Sequence, residues 1–531
     1  GATAPNGGEV LSPLTPGAKP LNLRGRDFAF DPRTLELTAE AGGGQYGMCM
    51  DNRGRRFVCN NSDHIRVFMY DARYGARNPA FAMPRALVSI AVDGASAEVY
   101  RRSPDEPWRV IRTRWRMTGA VKGVVEGGGR VSGYFTSATG LVIYRGDAWP
   151  KEYVGDAFIA DCGSNLIHRK KVRQNGVELF AERPPDEQKT EFLTSNDTWF
   201  RPVQMVNAPD GCLYVIDMYR EIIEHPWSLP PTLKQHLDLN SGNDRGRIYR
   251  IVPDGFKSRK PPKLGKATTA ELVATLAHPN GWHRDTAQRL LYERQDKAAV
   301  PLLEKLLQTS KAALGRMHAL CLLDGLSALT PGHLLTALAD PAGEVREQGV
   351  RLTEKVLANK SASTGPLFQK LLSLTADPDP LVRYQLAFTL GEFEAARKAK
   401  PLAEIALRAS QSSWVQAAIL SSLADGAGDM FATLSSDPRI RNAKAGQEFL
   451  RQLVQLIGVT HKPAEVTAVL DYVARVEDAS LAFSLVRSLG DGLVRGKSSL
   501  AKVDTQGNLK TIFARASQAA VDAKADEGVR V

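Results

Sequence analysis

The chain has 531 residues, of which 43% are hydrophobic and 24% are charged, proportions that are ordinary for a soluble protein with two or more domains. Its formal charge of +11 comes from 69 basic and 58 acidic residues dispersed along the chain, and no basic run is interleaved with aromatic residues, so we expect no nucleic-acid partner. No apolar stretch of about 18 residues occurs, so no transmembrane segment is predicted.

Residues 1–19 are rich in Gly and Pro and predict an irregular segment. The chain starts at Gly1 rather than at Met, and no signal peptide is visible. A processed or truncated N-terminus would explain both facts, so this segment leaves the cellular location open.

Residues 20–257 predict an all-β domain, because short strands and Gly-rich turns dominate and helical periods are few. The pattern Gly-x-x-aromatic-β-branched-x-Asn/Asp occurs three times, at 54–60, 155–161 and 211–217. The three glycines lie 101 and 56 residues apart, which fits about two blades and one blade of a β-propeller at roughly 40–50 residues a blade. We therefore predict a propeller of about four to five blades. A β-sandwich or a set of unrelated hairpins is the alternative.

Residues 86–145 would hold the blade between the first two copies of the pattern. In the third copy, Pro209-Asp210-Gly211 is typical of a tight turn. The strand that follows, residues 213–216, is apolar without alternation and is expected to be buried on both faces. It ends at Asp217, so it would carry a carboxylate to the end of the strand.

A Pro-rich, basic linker is predicted at 258–267, and from there to residue 515 the composition changes to Leu and Ala with helical spacing. Two copies of Asp-Pro-x-x-x-Val-Arg, at 340–346 and 377–383, and a weaker copy at 278–284, predict one helical pair per repeat. The Asp would cap the second helix and the Pro would begin it, so both Asp and Arg are expected to be structural. This pattern predicts a HEAT-like α-solenoid over 268–515, followed by a charged tail at 516–531.

The five cysteines include no Cys-x-x-Cys pair, so the chain contains neither a covalent haem attachment motif nor a zinc ribbon. Cys49 and Cys59 flank one predicted hairpin. A turn at 51–54 would place Cys49 opposite about Arg56, so these two thiols are not expected to be bonded.

Several of these segments resemble a bacterial family of membrane-bound dehydrogenases found chiefly in planctomycetes and verrucomicrobia. The matching segments are 23–33, 60–64, 155–169, 197–227 and 242–250. Members of that family carry a sorbosone- or glucose-dehydrogenase-like propeller, then HEAT-like repeats, and often a cytochrome c domain. The resemblance implies a quinoprotein-type dehydrogenase that oxidises a sugar or an alcohol in a periplasmic or exported redox system. The propeller half is shorter than in the family, which implies an incomplete propeller, and the sequence contains no cytochrome domain.

The resemblance also implies a cofactor, pyrroloquinoline quinone with Ca²⁺, and a cytochrome c-type electron acceptor or another protein bound through the solenoid. The protein would orient the cofactor, which supplies the chemistry. His64 and His168 are the candidate catalytic bases. Arg169, Arg201 and Arg220 are the candidate clamps for the carboxylates of the cofactor. None of these residues matches a catalytic motif of the family position by position.

Three residues just after the predicted inner strands offer hard oxygen ligands of the kind that Ca²⁺ prefers: Asn60, Asp161 and Asp217. The competing interpretation is that the two aspartates cap the loops at the strand ends. Arg201 before Pro202 could likewise pair with a nearby carboxylate and lock a blade corner.

Two other functions remain open at the level of sequence. The first is a non-catalytic scaffold, in which the propeller binds a carbohydrate or a protein and the solenoid holds a partner. The second is a Ca²⁺-dependent hydrolase or lactonase, which would need Asn60, Asp161 and Asp217 to converge on one ion.

Overall fold

The computed structural model describes residues 8–12, 14, 17, 19–358, 365–409 and 411–521. An N-terminal region of antiparallel sheets is followed by a mostly helical C-terminal region. The described strands, in chain order, are β1 Glu9–Val10, β2 Leu21–Asn22, β3 Arg26–Phe30, β4 Leu37–Ala41, β5 Tyr46–Met50, β6 Arg56–Asn60, β7 Asp63–Phe68, β8 Leu87–Ser89, β9 Ala138–Ile143, β10 Ala157–Asp161, β11 Leu166–Asn175, β12 Glu178–Glu182, β13 Leu193–Thr194, β14 Pro202–Asn207, β15 Leu213–Asp217 and β16 Arg247–Ile251.

Three sheets make up most of the β region, with the orders β5-β6-β7-β8, β9-β10-β11-β12 and β14-β15-β16, and all neighbouring strands are antiparallel. The first strands of the three sheets are in contact, β5 with β9 and β9 with β14. Two glycines permit this close approach. A Cβ at Gly47 would lie 2.7 Å from the backbone nitrogen of Leu141, and a Cβ at Gly140 would lie 2.7 Å from the Cα of Gln204.

The apolar cores lie between adjacent sheets. Phe57 and Ile65 of the first sheet pack with Ile143 and Ile159 of the second. The opposite face of the second sheet packs on the third through a separate cluster that contains Val142, Phe158, Leu213 and Val215. The second sheet is thus covered on both faces, which explains why every residue of β10 is buried.

The helices of the described residues are α1 Ala72–Ala76, α2 Pro107–Met117, α3 Pro231–Lys234, α4 Thr269–Thr275, α5 Gly281–Arg294, α6 Ala299–Thr309, α7 Ala313–Gly325, α8 Pro331–Leu338, α9 Gly343–Leu357, α10 Gly365–Ser373, α11 Pro380–Thr389, α12 Ala395–Arg408, α13 Ser413–Ser421, α14 Ala427–Ser435, α15 Pro438–Arg441, α16 Lys444–Thr460, α17 Pro463–Arg475, α18 Ala479–Arg495, α19 Leu500–Val503 and α20 Leu509–Val521. Within the described ranges, none of these helices combines the length and the apolar character that a membrane crossing requires.

The chain divides into two compact units, and the division differs from the compositional boundary at 258–267. The first unit comprises Gly1–Ala72 and Arg85–Ala328, so the helices α4 to α7 belong with the sheets. The second comprises Leu329–Val531 together with the short segment Arg73–Pro84. In that second unit Tyr74 stacks on Phe388 with the ring centroids 4.3 Å apart.

Each Gly-containing pattern forms a hairpin with the strand before it, as predicted: β5–β6, β9–β10 and β14–β15. Each also pairs with the strand that follows, β7, β11 or β16. Residues 86–145 do not form a further sheet: they contain β8, which completes the first sheet, the helix α2 and the whole of β9. The prediction of a separate blade there was wrong, because β8 pairs with β7 and β9 starts the sheet of the second hairpin.

Strand β15 is not buried on both faces, contrary to what its sequence had predicted. In β15 the side chains of Leu213 and Val215 are buried, whereas Ile216 is 37% exposed. Ile216 pairs across the strands with Ile248, which is 68% exposed. Buried and exposed side chains therefore alternate along β15, as in a sheet with one solvated face. The prediction failed because the exposed side chain of this strand, Ile216, is also apolar.

The Asp-Pro-x-x-x-Val-Arg repeat has a recurring structural role in the helical region. Arg346 donates to the carbonyl of Asp340 at 2.8 Å, and Arg383 donates likewise to the carbonyl of Asp377. The same contact occurs without the Asp-Pro pair, where Arg284 donates to the carbonyl of His278 at 2.7 Å. In each case the arginine, six residues on, closes the loop that leads into the helix.

In both repeats, the residue at the N-cap of the helix lies two positions after the Asp that was predicted to cap it. The Asp340 carboxylate accepts from the backbone of Ala342, and α9 begins only after that residue. In the other copy Asp379 caps α11 and Pro380 occupies its first turn. The Asp of the repeat thus shapes the loop before the helix, because its side chain reaches the amide two positions ahead.

All five cysteines are free, and Cys49 pairs in register with Phe57, one position from the predicted Arg56. Of the predicted tail, residues 516–521 belong to α20, and 522–531 lie outside the described residues, as does most of the predicted irregular segment before residue 19.

Candidate functional site

The turns that follow β6 and β10 and the end of β15 lie on one face of the β region, here called the strand-end face. A chain of hydrogen bonds joins them. The amide of Ala138 donates to the Asn61 carbonyl at 3.1 Å, and that of Cys162 donates to the Ser137 carbonyl at 3.3 Å. Arg201 donates to the Cys162 carbonyl at 3.0 Å. The three repeats of the sequence pattern therefore deliver their ends to one place.

Asp161 shapes the turn between β10 and β11. Its Oδ1 accepts from the amides of Gly163 and Ser164 at 2.9 and 3.1 Å, and its Oδ2 accepts from the Ser164 hydroxyl at 3.2 Å. The residue is 0% exposed, and burial raises the pKa of its carboxyl even though these donors act in the opposite direction. Both oxygens of this predicted calcium ligand are thus engaged in the turn.

Asp217 fastens two loops at the end of β15. Its Oδ1 accepts from the amides of Arg201 and Tyr219, each at 2.8 Å. Tyr219 has a φ of 49°, in the left-handed region, and the Asp217 contact holds that strained turn. The Oδ2 atom is buried and has no hydrogen-bond partner in the part of the chain that is described.

Asn60, the third predicted metal ligand, ends β6 and pairs in register with Asp63. Its Oδ1 is buried without a hydrogen-bond partner among the described residues. No group of three or more His, Cys, Asp or Glu side chains in the described ranges is placed to hold a metal ion.

Arg201, a predicted cofactor clamp, is 0% exposed, and its guanidinium group is occupied by the protein. Besides the Cys162 carbonyl, it donates to the carbonyls of Arg220 and Glu221 at 2.9 and 2.6 Å, and to Glu106 Oε1 at 3.0 Å. Burial would raise the pKa of the Glu106 carboxyl, but the neighbouring arginines hold that pKa below its usual value. Arg201 therefore anchors the loops around it.

The other two predicted clamps are also engaged. Arg220 donates to three backbone carbonyls, the shortest contact being 2.7 Å to Gly242. Arg169 is 3% exposed and pairs with Glu187 at 2.9 Å and with Asp186 at 3.4 Å.

His64 and His168, the predicted bases, lie together away from solvent, with ring centroids 5.7 Å apart. His64 stacks on Phe135 and donates from Nδ1 to the Ala95 carbonyl at 2.7 Å. His168 Nδ1 lies 2.6 Å from Glu191 Oε2, and both of these side chains are at most 1% exposed.

Burial lowers the pKa of His64 to about 3 and lowers that of His168 well below its ordinary value. Both rings are therefore neutral at physiological pH, and the structure places them inside the packing between β7 and β11 rather than at an open surface. The Nε2 atoms of both rings are buried without hydrogen-bond partners among the described residues.

An open cleft with a volume of about 90 Å³ adjoins the strand-end face. It lies between α2, the loop before β9 and the turn after β6. Its lining residues include four arginines, two glutamates and several hydroxyl or amide side chains: Arg109, Arg112, Arg116, Arg130, Glu126, Glu224, Asn61, Thr113, Tyr134, Thr136 and Ser137.

The sequence does not predict this cleft, because α2 interrupts a region whose pattern predicts an all-β domain. The signal is nevertheless present. Pro107 suits the first turn of a helix, and Arg109, Arg112 and Arg116 recur at spacings of three and four, which places them on one helical face. Trp108 packs beneath this helix with Ile222 and Leu229.

Comparisons with known proteins add little about function. Residues 1–255 match the model of a family described as a domain of unknown function, DUF7133. No match was found among the curated proteins. A solved structure that resembles the chain is YibA of E. coli, at 16% identity over 49% of this chain and 98% of that one. Its TM-score of 0.29 is too low to support an argument about the fold.

Proposed function

We propose that this protein is a ligand-binding scaffold, in which a propeller-type β region binds a carbohydrate at its strand-end face and a HEAT-like solenoid holds a protein partner. The observation that carries the proposal is a contrast within the first unit. The histidines, arginines and aspartates that the sequence suggests for catalysis are engaged in internal contacts, whereas the cleft next to them is open.

The arrangement of the sheets supports the propeller interpretation. The first strands β5, β9 and β14 are neighbours, and each sheet extends away from them in sequence order. Loops from successive sheets that converge on one face are where such folds bind ligands. The recurrent loop closure by Arg284, Arg346 and Arg383 supports a helical repeat in the same way.

A glycan array probed with the full chain tests the proposal. We expect binding to at least one class of saccharide. Binding is expected to be weakened in Arg116→Gln, which changes the cleft, and retained in a folded His168→Gln variant, which changes only the buried cluster. An array without any bound saccharide would count against the scaffold.

A second candidate is the quinoprotein-type dehydrogenase acting on a sugar or an alcohol, in an exported redox system with a cytochrome c-type acceptor. One observation favours it: the guanidinium groups of Arg109, Arg112 and Arg116 are the kind of donors that bind the carboxylates of pyrroloquinoline quinone. When bound, that cofactor would supply a quinone that accepts hydride. These arginines, rather than Arg169, Arg201 and Arg220, would hold it.

The same candidate lacks support for two of its parts. For Ca²⁺, Asp161 uses both carboxylate oxygens and Asp217 uses its Oδ1 to hold turns. His64 and His168 do not line the cleft. Reconstitution with the quinone and Ca²⁺, followed by dye reduction on a panel of aldoses and alcohols, separates the candidates: turnover would establish the dehydrogenase, and its absence in a chain that binds saccharide favours the scaffold.

A further inference from the structure

The cleft beside the strand-end face is lined by more basic than acidic side chains. Four arginines line it against two glutamates, and Glu224 already pairs with Arg112 at 3.0 Å. Arg130 pairs at the exposed rim, with Glu98 at 3.4 Å. The cleft therefore favours an anion.

Arg109 is the least satisfied of the four. The residue is 3% exposed, yet its Nε and Nη2 atoms have no hydrogen-bond partner among the described residues. The carboxylate nearest to it in the structure is Glu106, with Nε 3.5 Å from Oε2, and that carboxylate also serves Arg101 and Arg201. A buried guanidinium group with idle N–H donors is costly, and an anionic ligand in the cleft would remove that cost.

Two further arginines on the same face of α2, Arg112 and Arg116, also have buried Nε atoms without hydrogen-bond partners among the described residues. Arg116 uses its terminal nitrogens on the carbonyls of Ser228 and Val124 at 3.1 and 3.4 Å, which fixes its position. The guanidinium groups are thus held in place before any ligand arrives, which reduces the entropy lost on binding.

The rest of the lining suits a polyhydroxylated molecule. Asn61, Thr136 and Ser137 come from the strand-end turns, Thr113 from α2, and Tyr134 adds an aromatic ring. Amide and hydroxyl groups of this kind exchange hydrogen bonds with sugar hydroxyls. The enclosed volume is about 90 Å³, so the carboxylate end of a sugar would enter the cleft and its ring would lie at the open side.

We propose that this cleft binds an acidic saccharide, a sugar that carries a carboxylate, with the carboxylate at Arg109 and Arg116 and the hydroxyls at the strand-end turns. The inference rests on the proposed carbohydrate-binding function and specifies its ligand. A planar carboxylate is the match for the two parallel N–H donors of a guanidinium group.

Isothermal titration of the full chain with sodium D-glucuronate and with D-glucose, at one ionic strength, tests the proposal. We expect glucuronate to bind at least about tenfold more tightly than glucose, since a hydrogen bond to a charged group contributes that much. Arg116→Gln and Arg130→Gln should each reduce the glucuronate affinity, Arg116→Gln by about tenfold. The control is Arg114→Gln, an exposed arginine of the same helix that does not line the cleft and should bind like the wild type.

Arg109→Lys, which keeps the charge but loses the planar donor pair, should also weaken glucuronate binding more than glucose binding. Equal affinities for the two sugars, or an Arg116→Gln variant that binds glucuronate as the wild type does, would overturn the inference. If neutral saccharides bind on the glycan array without that preference, the proposed function stands and only the acidic ligand is wrong. If no saccharide binds in either experiment, both fail.

Discussion

At the residue scale, the polar side chains at the strand-end face form hydrogen bonds to the backbone of the loops around them. Arg201 shows this most clearly, because its guanidinium group joins Cys162, Arg220 and Glu221 to Glu106. A strand that delivers a charged group to its end predicts where loops meet, but not whether that group faces a ligand. The distinction depends on partners that are distant in the sequence, such as Glu106, which is 95 residues away.

Arg201→Gln should destabilise the first unit by about 3–5 kcal/mol, because Glu106 would remain buried without this partner and several carbonyls would lose their donor. Urea denaturation followed by tryptophan fluorescence measures the change. Arg114→Gln, at an exposed position, should shift stability by less than about 0.5 kcal/mol. Similar stabilities for the two variants would contradict the anchoring role of Arg201.

The buried histidines make stability depend on pH. The pKa of His64 is about 3 in the folded state against about 6.5 when unfolded, so below pH 6.5 the unfolded chain binds the proton first. Stability from this group is complete above pH 6.5 and is lost as the pH falls towards 3. Between pH 7.5 and pH 5.0 the loss should be about 2 kcal/mol.

Denaturation of the wild type and of His64→Gln at both pH values measures this contribution. The variant should be less stable at pH 7.5 but should lose less stability on acidification. Glu191 and Asp63, whose carboxyl pKa values are raised by burial, act in the opposite direction and are common to both proteins. Equal losses in the two proteins would show that His64 titrates freely.

At the scale of elements, the short segment Arg73–Pro84 is a structural part of the helical unit. The Tyr74 hydroxyl donates to Glu354 Oε1 at 2.8 Å and accepts from Gln385 at 2.8 Å, while Thr389 donates to the same carboxylate oxygen at 2.6 Å. Asn78 donates to the Leu420 carbonyl at 2.7 Å. The segment thus satisfies buried polar groups on α9, α11 and α13.

Tyr74→Phe should lower the stability of the helical unit by about 1–3 kcal/mol, because it leaves buried polar partners unsatisfied. A double-mutant cycle with Glu354→Gln isolates the pair, and we expect a coupling energy of about 0.5–3 kcal/mol. Additive effects of the two substitutions would show that the contact contributes nothing to stability.

The repeat arginines offer a second test at this scale. Arg346 also binds Asp377 of the next repeat through two contacts of 2.7 Å, and the Asp377 side chain is 2% exposed. Arg346→Gln should therefore cost about 1.5–3 kcal/mol in denaturation experiments. The matched control is Arg289→Gln, whose side chain is 65% exposed and pairs with Glu293 at 3.7 Å, and it should be near neutral.

At the scale of the whole molecule, the order of a β region and then a helical region followed from composition and from the two repeats. The three hairpins were also predictable, because Gly turns and β-branched strands are local signals. The helix α2 was not recognised, since it is a single helix of 11 residues inserted among strands. Its arginines line the cleft together with Asn61, Thr136 and Ser137, and no local sequence pattern reveals this.

The side chains at the strand ends bond to the protein itself, whereas the adjacent cleft is open, and we therefore propose that a saccharide binds at the cleft. Hydrogen–deuterium exchange of the full chain, with and without the saccharide that binds most tightly on the glycan array, tests that account directly. Binding at the cleft predicts slower exchange in peptides that cover 107–117 and 124–137, with little change in 329–358. Slower exchange confined to the helical unit, or none in the cleft peptides, would contradict it.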